Sequence, residues 1–207
     1  MDFASANPSV VRSIKQRVLL NAWTRALRAH ATLPAIAEFN PDGLADELPD
    51  MMAFNVEGTG EDARFFITHE GSRLTAAYGN EHIDPAARIN RYLDLSIDPI
   101  VYARVLPCYI TCITRRRPTY SITQVKDEDG KDVSFERLLL PFGSGETVEK
   151  IIGSYKAISI DGGFKVDNLM GLRSDTRPVR LLNAVVDQEL ARRPAGVRVA
   201  DDIVEAD

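Results

Sequence analysis

Cysteine is scarce in this sequence of 207 residues, long apolar runs are absent, and the 25 basic residues are outnumbered by 30 acidic ones. Only Cys108 and Cys112 occur, and at helical i, i+4 spacing they supply neither a zinc site nor a disulfide framework. We therefore predict no metal site and a reducing, cytoplasmic compartment. No apolar stretch approaches the ~20 residues of a membrane span, and the first eight residues lack the basic start and apolar run of a secretory leader. We predict a protein that is neither secreted nor inserted in a membrane.

The formal net charge of -5 gives the chain a field that repels phosphate backbones. We therefore predict no nucleic-acid partner. Hydrophobic residues make up 44% of the chain and charged residues 27%, which is the mixture of a globular protein that buries a core. The length fits one domain with extensions.

The apolar pattern changes its period along the chain. Apolar residues recur at three- and four-residue steps from Ser9 to about Ala31, which predicts a long amphipathic helix. Alternation between residues 52 and 68 predicts a β-hairpin. Asp98-Pro99 predicts the start of a second helix, which runs to about residue 114 and is either kinked or divided at Pro107.

Three strands are predicted at residues 119–126, 133–141 and 148–160, joined by glycine-containing turns into an antiparallel meander. Val179, Leu182, Val186 and Leu190 predict a further helix from Pro178 to about residue 192. Because strands and helices do not alternate, the pattern favours an α+β fold with an antiparallel sheet and helices on one face.

This order of elements, two strands, a helical crossover and a three-stranded meander, is that of a PAS domain, and the sequence resembles a bacterial group of stand-alone PAS-like proteins. The residues that carry the resemblance are Trp23, Leu33-Pro34, Leu48-Pro49, Gly71, Gly79, Arg117-Pro118 and Leu138-Leu139-Leu140-Pro141. The resemblance covers roughly residues 23–159. It implies a five-stranded antiparallel sheet enclosing a pocket of small-molecule size, with sensing or protein association as the role and no settled ligand.

We accordingly divide the chain into an N-terminal flanking helix (residues 1–32), a PAS-like domain (33–163) and a C-terminal extension with a helical tail (164–207). The candidate pocket residues share an expected position between the long helix and the sheet. They are Tyr78, Tyr102, Val105, Tyr109, Cys112, Tyr120 and Arg137. Two interpretations stay open: these side chains line a small, mainly apolar ligand site, or they complete the core.

Cofactor chemistry has little support in the sequence. Heme-binding PAS domains generally ligate iron from the long helix, and here that helix contains no histidine. The Asn-Cys-Arg run of flavin-based light sensors is also missing. We predict neither heme nor flavin, and no catalytic residues, since no arrangement of nucleophile and base stands out.

The first helix presents a wide apolar face that needs a partner. In PAS proteins such flanking helices commonly pair between subunits, so we predict a homodimer through Val11, Ile14, Val18 and Trp23, with packing onto the chain's own sheet as the alternative. The leading hypothesis is a cytoplasmic sensory or regulatory domain that binds a small ligand or a protein partner. The alternatives are a ligand-free adaptor module and a small isomerase- or dehydratase-like enzyme.

Overall fold

Eight strands form one sheet in the computed structural model, which describes residues 2–27, 32–78, 89–160, 162–167, 169–170 and 177–187. The strands are β1 (Ala4–Ala6), β2 (Met51–Glu57), β3 (Arg64–Glu70), β4 (Arg91–Tyr92), β5 (Thr119–Lys126), β6 (Asp132–Ser144), β7 (Thr147–Ile158) and β8 (Val179–Val186). The helices are α1 (Ile14–Ala26), α2 (Leu44–Glu47), α3 (Ser72–Tyr78), α4 (Leu93–Ser96) and α5 (Pro99–Arg115). Short 3-10 helices lie at Pro8–Val10, Ile36–Glu38, Leu48–Asp50 and Gly60–Asp62.

The sheet is mixed and has the order β1-β8-β5-β6-β7-β2-β3-β4, with β1 parallel to β8 and the other pairs antiparallel. The predicted five-stranded PAS-like antiparallel sheet is therefore wrong. The five strands expected from the sequence are adjacent, as β5-β6-β7-β2-β3, but three more extend the sheet at both edges. β1 and β4 contain three and two residues, which is too short for a periodic pattern to reveal.

The predicted C-terminal helical tail is also wrong, because residues 179–186 form β8 between β5 and β1. The spacing of Val179, Leu182 and Val186 fits a helix, but short apolar runs rich in valine are equally compatible with a strand. The pairing of residues 179–186 with β5 and β1 selects the strand over the helix. The rest of the predicted helix and the charged tail, residues 188–207, lie outside the described residues.

Helices cover both faces of the sheet, so the expectation that they lie on one face is wrong. On one face α5 packs against residues that include Phe54, Leu139 and Tyr155. On the other face α1 packs against residues that include Leu138 and Leu140. Successive residues of a strand point to opposite faces, and residues 138–140 of β6 are all fully buried. The apolar run in β6 therefore has a covering layer on each side.

The N-terminal helix is a core element, which corrects its assignment as a flanking helix. It begins after Ser13, whose hydroxyl accepts a hydrogen bond from the Gln16 backbone N–H at 3.4 Å, while Ser9 lies in the preceding 3-10 helix. Leu19, Leu20 and Trp23 are buried against the sheet. Residues 28–31, into which the predicted helix extends, lie outside the described residues.

The predicted long helix is confirmed as α5. The Asp98 carboxylate caps it by accepting from the Ile100 N–H at 2.7 Å, and Pro99 occupies the first turn, where its missing N–H costs no helical hydrogen bond. The helix continues through Pro107 to Arg115. Among the helices of the described residues, none has the length and apolar character needed to cross a bilayer.

Candidate functional site

The candidate pocket residues are divided between the two faces of the sheet. Val105, Tyr109 and Cys112 lie on the buried side of α5, and Tyr102 is half-buried beside them. Arg137 reaches the same face from β6, as its contact with Cys108 shows. Tyr120 belongs to the opposite, α1-covered face. Tyr78 ends α3, and its side chain lies outside the described part of the chain.

The space around Tyr109 is occupied by other side chains. Tyr109 is 2% exposed, and its ring centroid lies 5.3 Å from that of Phe54 and 5.0 Å from that of Phe65. Its hydroxyl is 2.7 Å from the Tyr155 hydroxyl, in a hydrogen bond that either can donate. Gly153 makes room for this pair, because a Cβ atom there would lie 2.7 Å from the Tyr155 hydroxyl oxygen. The interior next to α5 is therefore closed by aromatic rings.

Polar groups converge beside these rings at Cys108, which with Ser121, Arg137 and Arg180 forms what we call the thiol cluster. The Cys108 Sγ accepts from Arg137 Nη1 at 3.8 Å and from Arg180 Nη1 at 3.6 Å, and donates to Ser121 Oγ at 4.0 Å. Arg137 is 3% exposed and its guanidinium lies 5.6 Å from the Tyr155 ring centroid. These contacts hold α5 against β5, β6 and β8.

Cys112 behaves as a buried hydrophobic residue. Burial raises the pKa of its thiol far above the ordinary value, and its Sγ donates to the Leu139 carbonyl oxygen at 3.8 Å. The protonated thiol is a poor nucleophile. Burial likewise raises the pKa of Tyr102, with the nearby Asp94 carboxylate adding to the shift.

The α1-covered face holds a charged network that the sequence patterns did not reveal. Lys156 Nζ lies 2.7 Å from Glu47 Oε2 and 2.6 Å from Asp50 Oδ2, and all three side chains are largely buried. Two exposed cations complete the network, with Lys15 2.7 Å from Glu47 and Arg73 2.6 Å from Asp50. Burial works to raise the pKa of Glu47, but hydrogen bonds from Lys15 and Lys156 outweigh it and leave that pKa below its ordinary value.

The same face contains a buried tyrosine and carboxylate in hydrogen-bond contact. The Tyr120 hydroxyl donates to Glu136 Oε2 at 2.7 Å and accepts from the Arg12 backbone N–H at 3.2 Å. Burial and the bond to Glu136 both raise the pKa of Tyr120. Among the described residues, no three histidine, cysteine or acidic side chains are grouped so that they could hold a metal ion.

The four candidate dimer residues have different environments. Val11 and Trp23 are fully buried within the chain, and the Trp23 indole N–H donates to the Pro141 carbonyl oxygen at 2.7 Å. Val18 is half-buried, whereas Ile14 is 70% exposed. In this conformation only Ile14 presents most of its surface to a partner.

Surface pockets lined by described residues include one of about 180 Å³ between Ile36 and Phe142. Another, of about 220 Å³, lies at the C-terminal end of α5, and we call it the α5-end pocket. Its lining includes the threonine residues Thr59, Thr114 and Thr147, the apolar Ile113 and Val148, and Arg116. Arg116 belongs to the only run of three arginines in the sequence, which is the one signal that could have pointed to it.

Comparisons of this chain with protein-family models, with curated proteins and with solved structures found no match.

Proposed function

We propose that this chain is a protein-interaction module whose interior is filled by its own side chains. The observation that supports this proposal is the packing around Tyr109, the position at which the sequence predicts the ligand pocket. Phe54, Phe65 and Tyr155 occupy the volume that a ligand would need there. Small-molecule sites usually enclose about 300–1,000 Å³ of concave space.

The volumes of these two surface pockets favour the same function. Their volumes of about 180 and 220 Å³ lie below the usual range for small-molecule sites and suit a side chain of a partner protein better than a whole metabolite. Exposed apolar residues such as Ile14, Leu95 and Ile100 add contact area outside the pockets. From the sequence we retain a non-catalytic role in the cytoplasm, with either a second copy or another protein as the partner.

Small-ligand sensing is the second candidate, because one observation favours it. The thiol cluster brings two guanidinium groups, a thiol and a hydroxyl to one place between α5 and the sheet. Convergent polar groups next to an apolar wall are typical of ligand sites. In the proposed function these groups serve instead to fix α5 on the sheet.

Native mass spectrometry of the full chain purified from its host distinguishes the two functions. If the chain is an interaction module, we expect the mass of the polypeptide, alone or in a stoichiometric complex with a second polypeptide, and no retained small molecule. A denatured spectrum of the same sample is the control for covalent additions. A retained small molecule at one copy per chain would overturn the proposal and favour sensing.

A further inference from the structure

Arg116 has an unusual backbone conformation at the end of α5. Its φ of 53° and ψ of 37° lie in the left-handed region, which is disfavoured for residues that carry a Cβ atom and is usually taken by glycine at the end of a helix. Of the described residues other than glycine, only Asn90 shares a positive φ. Such backbone strain is found preferentially at functional sites.

The Arg116 guanidinium has a weakly held partner. Its Nη1 lies 3.2 Å from Glu146 Oε2, and the two side chains are 35% and 79% exposed. Exposed ion pairs of this kind contribute little to stability, since water screens the charges and two long side chains must be ordered. Another carboxylate can therefore replace that of Glu146 at small cost.

The α5-end pocket is lined by Arg116 together with polar and apolar residues that suit a short acidic side chain. Thr59 and Thr147 are polar residues of its lining, the Thr114 hydroxyl donates to the Ile110 carbonyl oxygen at 2.8 Å, and Ile113 and Val148 add apolar lining. Guanidinium and carboxylate groups form strong, charge-assisted hydrogen bonds with matched planar geometry.

The charges around the pocket limit the kind of partner. Arg115 is exposed next to Arg116, but the exposed acidic residues Glu61 and Asp62 lie on a 3-10 helix that packs against α5, and Glu146 is acidic too. The surface is therefore not a broad basic patch, and the net charge of -5 opposes polyanions. A single guanidinium in mixed surroundings matches one carboxylate.

We propose that the α5-end pocket binds the carboxylate of an exposed glutamate or aspartate of a partner protein, with Arg116 as the binding group and Glu146 as its competitor. This inference rests on the proposed function as a protein-interaction module. It names the chemistry by which the module recognises its partner.

Titration of the full chain with an N-acetylated, C-amidated peptide that carries one glutamate among alanines and serines, followed by NMR chemical shifts, tests the carboxylate assignment. Arg116→Gln is expected to weaken binding at least about tenfold, because a charge-assisted contact is lost. Glu146→Gln is expected to strengthen it, since the competing carboxylate is removed. Arg115→Gln, at the neighbouring exposed arginine, is the matched control. It is expected to change the affinity for the peptide less than about threefold, because water and salt screen an exposed charge.

Arg116→Gly separates binding from folding. Glycine adopts the left-handed conformation freely, so this variant is expected to lose peptide binding while its melting temperature rises by about 2–4 °C. Equal weakening by Arg115→Gln and Arg116→Gln, or no binding of the peptide, would overturn the carboxylate site. Binding of free succinate as tight as that of the peptide would overturn the assignment to a protein partner. None of these results changes the mass spectrum that tests the filled interior, so the two proposals fail separately.

Discussion

The α5-covered face of the sheet buries a pair of tyrosine hydroxyls and the Arg137 guanidinium of the thiol cluster, whereas the α1-covered face buries the Trp23 indole ring and a lysine that lies between two carboxylates. On the first face Tyr109 and Tyr155 share a hydrogen bond between two neutral groups. On the second, Lys156 lies between Glu47 and Asp50, and Tyr120 donates to the Glu136 carboxylate. Both faces are buried, but by different chemistry.

This difference predicts that the two faces respond differently to substitution. A neutral hydroxyl pair and packed rings tolerate loss of one polar group, while buried charges depend on every partner being present. The tyrosine pair on the α5-covered face should therefore be sensitive to changes in volume, and the Lys156 network on the α1-covered face to changes in charge.

The largest effect is expected from Trp23→Ala on the α1-covered face. The change removes a fully buried indole ring and its hydrogen bond to Pro141, and should cost about 4 kcal/mol of folding free energy. Thermal unfolding followed by circular dichroism should show a melting temperature lower by about 8–16 °C. Ile14→Ala on the exposed side of the same helix is the control, expected within about 0.5 kcal/mol of the wild type. An unchanged melting temperature with a lower subunit number would instead identify α1 as an intersubunit helix.

A smaller loss is expected from Lys156→Ala, which removes the cation shared by Glu47 and Asp50. The largely buried carboxylates of Glu47 and Asp50 would then lack the Lys156 cation. We expect the free energy of unfolding, measured by urea titration, to fall by about 3 kcal/mol. Lys126→Ala removes the cation of the exposed Lys126–Asp132 pair and is the matched control. We expect it to lower the free energy of unfolding by only a small part of the loss in Lys156→Ala. Equal losses in the two variants would mean that burial adds nothing to the Lys156 network, which would contradict the distinction between the faces.

Local signals in the sequence predict much of the secondary structure. The strand predicted at residues 119–126 coincides with β5, and the Asp98-Pro99 pair marks the start of α5. Such signals act within a few residues, through alternation, caps and proline. They do not report which strand lies next to which, so β1, β4 and β8 and the second helical layer were missed.

The site residues were missed for a related reason. Ser154 and Lys156 occupy alternate positions of β7, and a polar residue at such a position is normally assigned to the solvent side of a strand. Here α1 and the Leu48–Asp50 segment cover that side, and Gln16 of α1 donates from Nε2 to the Ser154 carbonyl oxygen at 2.9 Å. Whether a polar side chain is exposed or buried thus depended on long-range packing.

Gly153→Ala tests most directly the claim that the interior beside Tyr109 is filled. In an open strand position alanine is more stable than glycine by about 0.5–1 kcal/mol, whereas an added Cβ that meets a packed ring costs about 1–3 kcal/mol. Because that Cβ would lie 2.7 Å from the Tyr155 hydroxyl, we predict a melting temperature lower by at least about 2 °C. A higher melting temperature would mean that space is open next to Tyr155, and would contradict the filled interior on which the proposed function depends.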